Sequence, residues 1–179
     1  MRLFAAAWPD EEALAHLEAA LSSLRNPLGD LRWRPRLRWH VTLAFLGEVD
    51  EARLPAVRRA LGDVAARHDQ VDAVALAGAG AFGRIVWVGL EPRPSALEPV
   101  AHDLARSLRE RGFPIERRAW TPHLTVARAR SATAQVPQAC EALHDYAGPG
   151  WPVREITLVR STTGPSPEYA VLDRVQLGG

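Results

Sequence analysis

Histidine, an apolar residue, threonine and a second apolar residue occur in that order twice in this chain, at His40 to Leu43 and at His123 to Val126, each followed by alanine (Ala44, Ala127). With 6 histidines and 7 threonines in 179 residues, chance places a threonine two positions after a histidine about 0.23 times per chain, so two copies inside apolar runs are not incidental. Side chains alternate faces along an extended strand. Each histidine therefore shares a face with its threonine, while Val41, Leu43, Leu124 and Val126 bury on the other. The chain must accommodate two such strands, and two of them can offer two imidazoles to one ligand.

The surrounding elements repeat as well. Arg2 to Trp8 reads as a strand, Asp10 as an N-cap, and Leu14, Leu17, Leu21 and Leu24 as the buried stripe of a helix. Asp50 is expected to cap a second helix whose stripe is Leu54, Val57, Leu61 and Val64. Ile85 to Leu90 is expected to be a strand, Leu97, Val100, Leu104 and Leu108 a helix ended by Gly112 and Pro114, and Ile115 to Arg118 a short strand before the second motif. A weaker helical pattern runs from Val136 to Leu143, and Val153 to Arg160 and Tyr169 to Leu177 read as closing strands joined by Gly164, Pro165 and Pro167. Val71 to Leu76 alternates as a strand, and Gly78, Gly80 and Gly83 read as a flexible connection, because no phosphate-loop or dinucleotide fingerprint is completed there.

This order predicts one α+β domain over residues 1–179. It is bilobal, with approximate repeat halves 1–80 and 81–179 related by a pseudo-two-fold, antiparallel sheets lining a central cleft and helices outside. The length suits one packed unit.

All 22 basic residues are arginine and the chain has no lysine, so no Schiff base, lysyl-nucleotide intermediate or phosphate-loop lysine can form. A net charge of +1 means that any nucleic-acid contact is local. The local candidate is Arg32, Arg34, Arg36 and Arg38, which would share the histidine face if the chain ran extended to His40; Pro35 predicts a break. Cys140 is the only cysteine, which excludes an intramolecular disulfide and a cysteine-clustered metal site. No signal segment or apolar run of membrane-spanning length is present, so the expectation is a cytoplasmic protein without membrane attachment.

The paired motifs resemble the signature of the two-histidine phosphoesterases, in particular the RNA 2′,3′-cyclic phosphodiesterases also called 2′-5′ RNA ligases. The likeness extends to Arg2 through Ala6, to Phe45, Leu46, Gly47 and Glu48, to Val86 through Gly89 and to Pro122 through Arg128, with Trp120 where that family more often has phenylalanine. The resemblance implies the bilobal fold and hydrolysis of an RNA 2′,3′-cyclic phosphate to a 2′-phosphate. It makes His40 the acid and His123 the base, and Arg128 a phosphate ligand. The implied partner is RNA with a cyclic phosphate end, tRNA halves among the candidates, acted on by a monomer without cofactor.

The residue chemistry agrees with that implication. Imidazole titrates near pH 6.5, so one histidine can be neutral while the other is protonated. Thr42 and Thr125 can hydrogen-bond non-bridging phosphate oxygens. Trp39, Phe45 and Trp120 are candidates to stack a base. Arg128 lies an odd number of residues from His123, so its role requires the strand to end or bulge between them. A metal hydrolase would need further ligands, and neither motif strand supplies them on its histidine face. The competing readings are a two-histidine enzyme for another small cyclic phosphate or a 2′-5′ linkage, and an RNA-end binding module without turnover.

Overall fold

The structure, a computed structural model, describes residues 1–163 and 168–178; the expected turn residues Gly164, Pro165 and Pro167 lie outside the described residues. Nine strands form one antiparallel sheet: β1 (Arg2–Ala7), β2 (Leu31–Trp33), β3 (Val41–Glu48), β4 (Val71–Phe82), β5 (Ile85–Glu91), β6 (His123–Ala129), β7 (Ala147–Val153), β8 (Glu155–Ser161) and β9 (Tyr169–Gln176). The helices are α1 (Glu11–Ser22), α2 (Leu54–Ala65), α3 (Glu98–Glu110) and α4 (Gln135–Ala142).

The strand order is β7-β4-β5-β6-β3-β1-β8-β9, with β2 paired to β6. It reads alike outward from the centre: a motif strand, the strand that opens its repeat, then two more. The two central strands touch through one register pair, Val41 opposite Leu124. These residues are equivalent in the two motifs, so the pseudo-two-fold passes between them.

The repeat is spatially interleaved. β8 and β9 join the lobe of β1, whereas β4 joins that of β5. The helices cross over too: α1 packs on β4 and β7, and α3 packs on β3. Each lobe thus needs chain from both repeats to bury its sheet.

The helices form where the leucine stripes require. Leu17 and Leu21 of α1, Val57, Leu61 and Val64 of α2, and Val100, Leu104 and Leu108 of α3 are fully buried against the sheet. Burying each such side chain contributes roughly 1.5–3 kcal/mol. Asp10 caps α1 by accepting from Ala13 N at 2.9 Å. Asp50 accepts from Ala52 N at 3.0 Å and opens a 3₁₀ turn, Glu51–Arg53, that leads into α2.

Two local expectations are corrected. Gly78 and Gly80 lie inside the long strand β4, and only Gly83 is in the turn to β5, because both edges of this segment are paired, to β5 and β7. Ile115 to Arg118 forms no strand: three of its four side chains are charged and exposed, and it lies where the second repeat's counterpart of β2 would be. As Pro35 predicts, the arginine run is broken, with Arg32 in β2 and Arg36–Arg38 in a 3₁₀ turn.

Candidate active site

Both motif strands carry the same irregularity. Ala5 and Ala6 of β1 pair with Ala44 and Thr42, skipping Leu43; Val86 and Trp87 of β5 pair with Ala127 and Thr125, skipping Val126. Each is a β-bulge with two consecutive buried residues, Leu43-Ala44 and Val126-Ala127. The extra residue resets the alternation of faces. Phe45 returns to the face of His40 and Thr42, and Arg128 to the face of His123 and Thr125. The two positions are equivalent under the pseudo-two-fold, an aromatic ring in one lobe and a guanidinium in the other.

The pairing of Val41 with Leu124 brings the motifs together. One residue to either side, the antiparallel register sets His40 opposite Thr125 and Thr42 opposite His123, side chains on one face. Cross-strand neighbours in such positions have Cβ atoms about 4.5–5.5 Å apart. Val41 and Leu124, both fully buried, hold the strands from the other face.

The imidazoles are wired identically. His40 Nδ1 lies 2.8 Å from the Arg38 carbonyl oxygen and His123 Nδ1 lies 2.8 Å from that of Thr121. A carbonyl only accepts, so each Nδ1 donates and the neutral ring keeps its lone pair on Nε2.

Their surroundings differ. His40 stacks on Phe4 with ring centroids 4.6 Å apart and is flanked by Trp8 at 5.2 Å and Tyr169 at 5.5 Å. His123 meets the edge of Phe82 at 5.0 Å and lies 6.1 Å from Trp87. Burial, with smaller contributions from the charges of His123 and Arg34, pushes the His40 pKa down to about 4 against the bond to Arg38. Burial, aided by Arg118, also lowers that of His123.

The depressed His40 predicts a pH-dependent stability. Its imidazole is neutral in the folded chain at pH values where the unfolded chain binds a proton. The stability it contributes is therefore complete above pH 6.5 and falls as pH drops towards 4, by about 3 kcal/mol at most. Denaturant titrations at pH 7.5, 5.5 and 4 should show this loss in wild type and a smaller one in His40→Asn. Equal losses would assign the effect to other groups.

A cleft of about 840 Å³ opens from the motif face, bordered by Thr42, Phe45, Phe82, Trp120, His123 and Arg117. Phe45 is 48% exposed and Phe82 44% exposed. Trp120 is half-buried and donates its indole N–H to the Thr42 carbonyl at 2.9 Å, fixing the ring on the cleft wall. Trp39 cannot stack a base. It is fully buried, with its indole N–H donated to the Arg34 carbonyl at 3.1 Å. Its position one residue from His40 puts it on the Val41 face.

Of the arginines before the first motif, Arg34 acts on His40 through its charge, Arg36 is ion-paired with Glu11, and Arg38 lies 6.0 Å over the Tyr169 ring. Arg32 sits directly opposite Arg128 across β2 and β6. The other histidines are placed elsewhere: His68 bonds Asp103 at 2.8 Å, His16 bonds Tyr146 at 3.1 Å, and His102 and His144 are exposed. Among the described residues no three His, Cys, Asp or Glu side chains cluster as a metal-ligand set, and no helix is long and apolar enough to cross a membrane. The rings of Phe4, Trp8, Tyr169, Phe82 and Trp87 around the histidines are not among the candidates that the motif spacing offers. Phe4 and Trp8 flank the run of small residues in β1, and strand alternation from His40 through its neighbour could have found them.

Known proteins are similar to this chain in sequence and in fold. An RNA 2′,3′-cyclic phosphodiesterase of Thermus thermophilus is 32% identical, with 100% of this chain and 91% of the relative covered. One of Geobacillus stearothermophilus is 33% identical over 82% of this chain, which spans about half (48%) of that relative's length. Among solved structures, one of a Thermus thermophilus protein superposes with a TM-score of 0.84 at 28% identity, covering 100% of this chain and 99% of the other. Escherichia coli LigT complexed with 3′-AMP gives 0.78 at 26% identity, covering 99% and 98%. The family model described as the 2′-5′ RNA ligase superfamily matches residues 6–165, a span that holds both motifs, both bulges and the central strand pair, and the chain belongs to that superfamily.

Proposed function

We propose that this chain hydrolyses RNA 2′,3′-cyclic phosphate termini to 2′-phosphates by paired-histidine acid and base catalysis. The observation that carries this reading is the pair of imidazoles on adjacent central strands, each held by Nδ1 to the carbonyl two residues earlier and each opposite the other motif's threonine. The relatives named RNA 2′,3′-cyclic phosphodiesterase support the substrate class.

The cyclic phosphate sits between the two Nε2 atoms, with Thr42, Thr125 and Arg128 on its non-bridging oxygens. A water oxygen attacks phosphorus as its proton passes to His123 Nε2. The bond from phosphorus to O3′ breaks, and O3′ takes a proton from His40 Nε2. A 2′-phosphomonoester and a 3′-hydroxyl result. This division of roles follows the family resemblance. Burial supports it in one respect: a His40 imidazolium that is hard to form is also a strong proton donor, and the negative phosphate stabilises it once substrate is bound. Joining of a 2′-5′ linkage is the same step with an RNA 5′-hydroxyl attacking phosphorus in place of water as O3′ leaves, and its reverse cleaves that linkage with the 5′-hydroxyl leaving.

Turnover requires one neutral and one protonated imidazole, so its rate is bell-shaped in pH. Both histidines are depressed in the free protein, which places the kcat/KM optimum below pH 6.5. Bound phosphate favours the imidazolium, which moves the kcat optimum to higher pH. Steady-state rates with an oligonucleotide ending in a 2′,3′-cyclic phosphate, measured from pH 4 to 9 with chelator present, test both statements. No turnover, or activity that chelator removes and a divalent metal restores, would contradict the reading.

A further inference from the structure

The two lobes differ beside the histidines. In the first lobe Ala7 pairs with Val41, so Trp8 comes next to His40, and its indole fills that space. In the second lobe the residue opposite His123 is Gly89. A Cβ at Gly89 would lie 2.7 Å from Arg93 Nη2 and 3.5 Å from the Trp87 ring, and a Cβ at Gly80 would lie 2.4 Å from the Trp87 indole. The two glycines therefore clear a floor. Trp87 lies on Gly80, and Arg93 folds back along the chain to lay its guanidinium over Gly89, on the face that carries His123.

Arg93 is itself exposed. No carboxylate, carbonyl or ring engages its guanidinium among the described residues, in contrast to Arg36, Arg53, Arg58, Arg106 and Arg111, which are all bonded. It is also distinct from Arg128. Arg128 is opposite Ile85 and Arg93 covers Gly89, four residues further along β5 and so about 13 Å away. A cation held open there, with His123 between it and His40 in the strand order β5-β6-β3, fits a second anion better than the reacting one.

We propose that Arg93 anchors the phosphodiester on the 5′ side of the nucleotide that carries the cyclic phosphate, so that the site prefers the end of an RNA strand to a free nucleoside cyclic phosphate. This rests on the proposed function and adds to it the residue that selects a polynucleotide end. The guanidinium fork suits two phosphate oxygens, and Gly89 lets it approach beside His123 without a side chain intervening.

The test compares adenosine 2′,3′-cyclic phosphate, which has no 5′ phosphate, with the dinucleotide ApA ending in the same cyclic phosphate. The ratio of their kcat/KM values should favour the dinucleotide in wild type and fall about 10- to 100-fold in Arg93→Gln, the range for one charged hydrogen-bonded contact. Arg93→Lys should keep part of the ratio. A ratio unchanged in Arg93→Gln, with both rates lowered equally or neither lowered, would overturn the proposal.

Binding separates this result from a failure of the hydrolytic reading. Anisotropy of a fluorescein-labelled ApA 2′-phosphate should show weaker affinity in Arg93→Gln than in wild type, and a smaller dependence on salt. Should wild type hydrolyse neither substrate, the hydrolytic reading fails, and equal affinity and salt dependence in the two proteins would still reject Arg93 as a phosphate anchor.

Discussion

Replacing His40 or His123 by alanine is expected to lower kcat by about 10²- to 10⁴-fold, the span that general acid or base catalysis supplies. The fold should persist in both variants, because Val41 and Leu124 hold the strands from the buried face. The stability cost should be larger at His40, whose ring packs against Phe4, Trp8 and Tyr169, than at His123. His40→Asn and His123→Asn keep more of the volume and serve as second variants. The two imidazoles act on one proton-transfer sequence, so the double variant should be little slower than either single one. A folded single variant with near wild-type turnover would remove that histidine from the mechanism.

Arg128→Ala is expected to reduce kcat/KM by about 10²- to 10³-fold, as the loss of one donor to a transition-state oxyanion does. Arg128→Lys should recover only part, since an ammonium keeps the charge but not the paired N–H groups. Stability should move the other way or stay level. Arg128 faces Arg32 directly across the β2–β6 pair, and like charges in that position are unfavourable by roughly 0.2–1 kcal/mol. Thermal melts and kinetics on the same samples check both halves. Full activity in Arg128→Ala, or a large fall in melting temperature, would assign Arg128 a role other than phosphate binding.

The sequence disclosed the motif strands, three of the helical stripes and the two histidines because each rests on local periodicity. What it concealed has physical causes. The bulges at Leu43 and Val126 depend on pairing with β1 and β5, so counting along a regular strand sends Arg128 to the wrong face. Their local trace is a doubled apolar pair, Leu43-Ala44 and Val126-Ala127, which breaks the alternation. Trp39 is the reverse case: simple alternation from His40 already assigns it to the buried side, and its aromatic character misled.

Strand β7 contains Gly148, Pro149, Gly150 and Pro152, residues that read as a turn. Among the described residues it pairs with β4 alone, at the margin of the sheet, where proline is tolerated. The aromatic setting of His40 joins residues from β1 and β9. Such a long-range meeting leaves no spacing in the sequence, and Arg93 over Gly89 likewise depends on which residue β5 sets opposite His123.

The most direct measurement is the ³¹P NMR spectrum of the product formed from an RNA dinucleotide 2′,3′-cyclic phosphate, with chelator present and no nucleoside triphosphate. The paired-histidine account predicts a single phosphomonoester resonance whose coupling identifies the 2′ position. A 3′-phosphate product, or an unchanged cyclic phosphate, would contradict it.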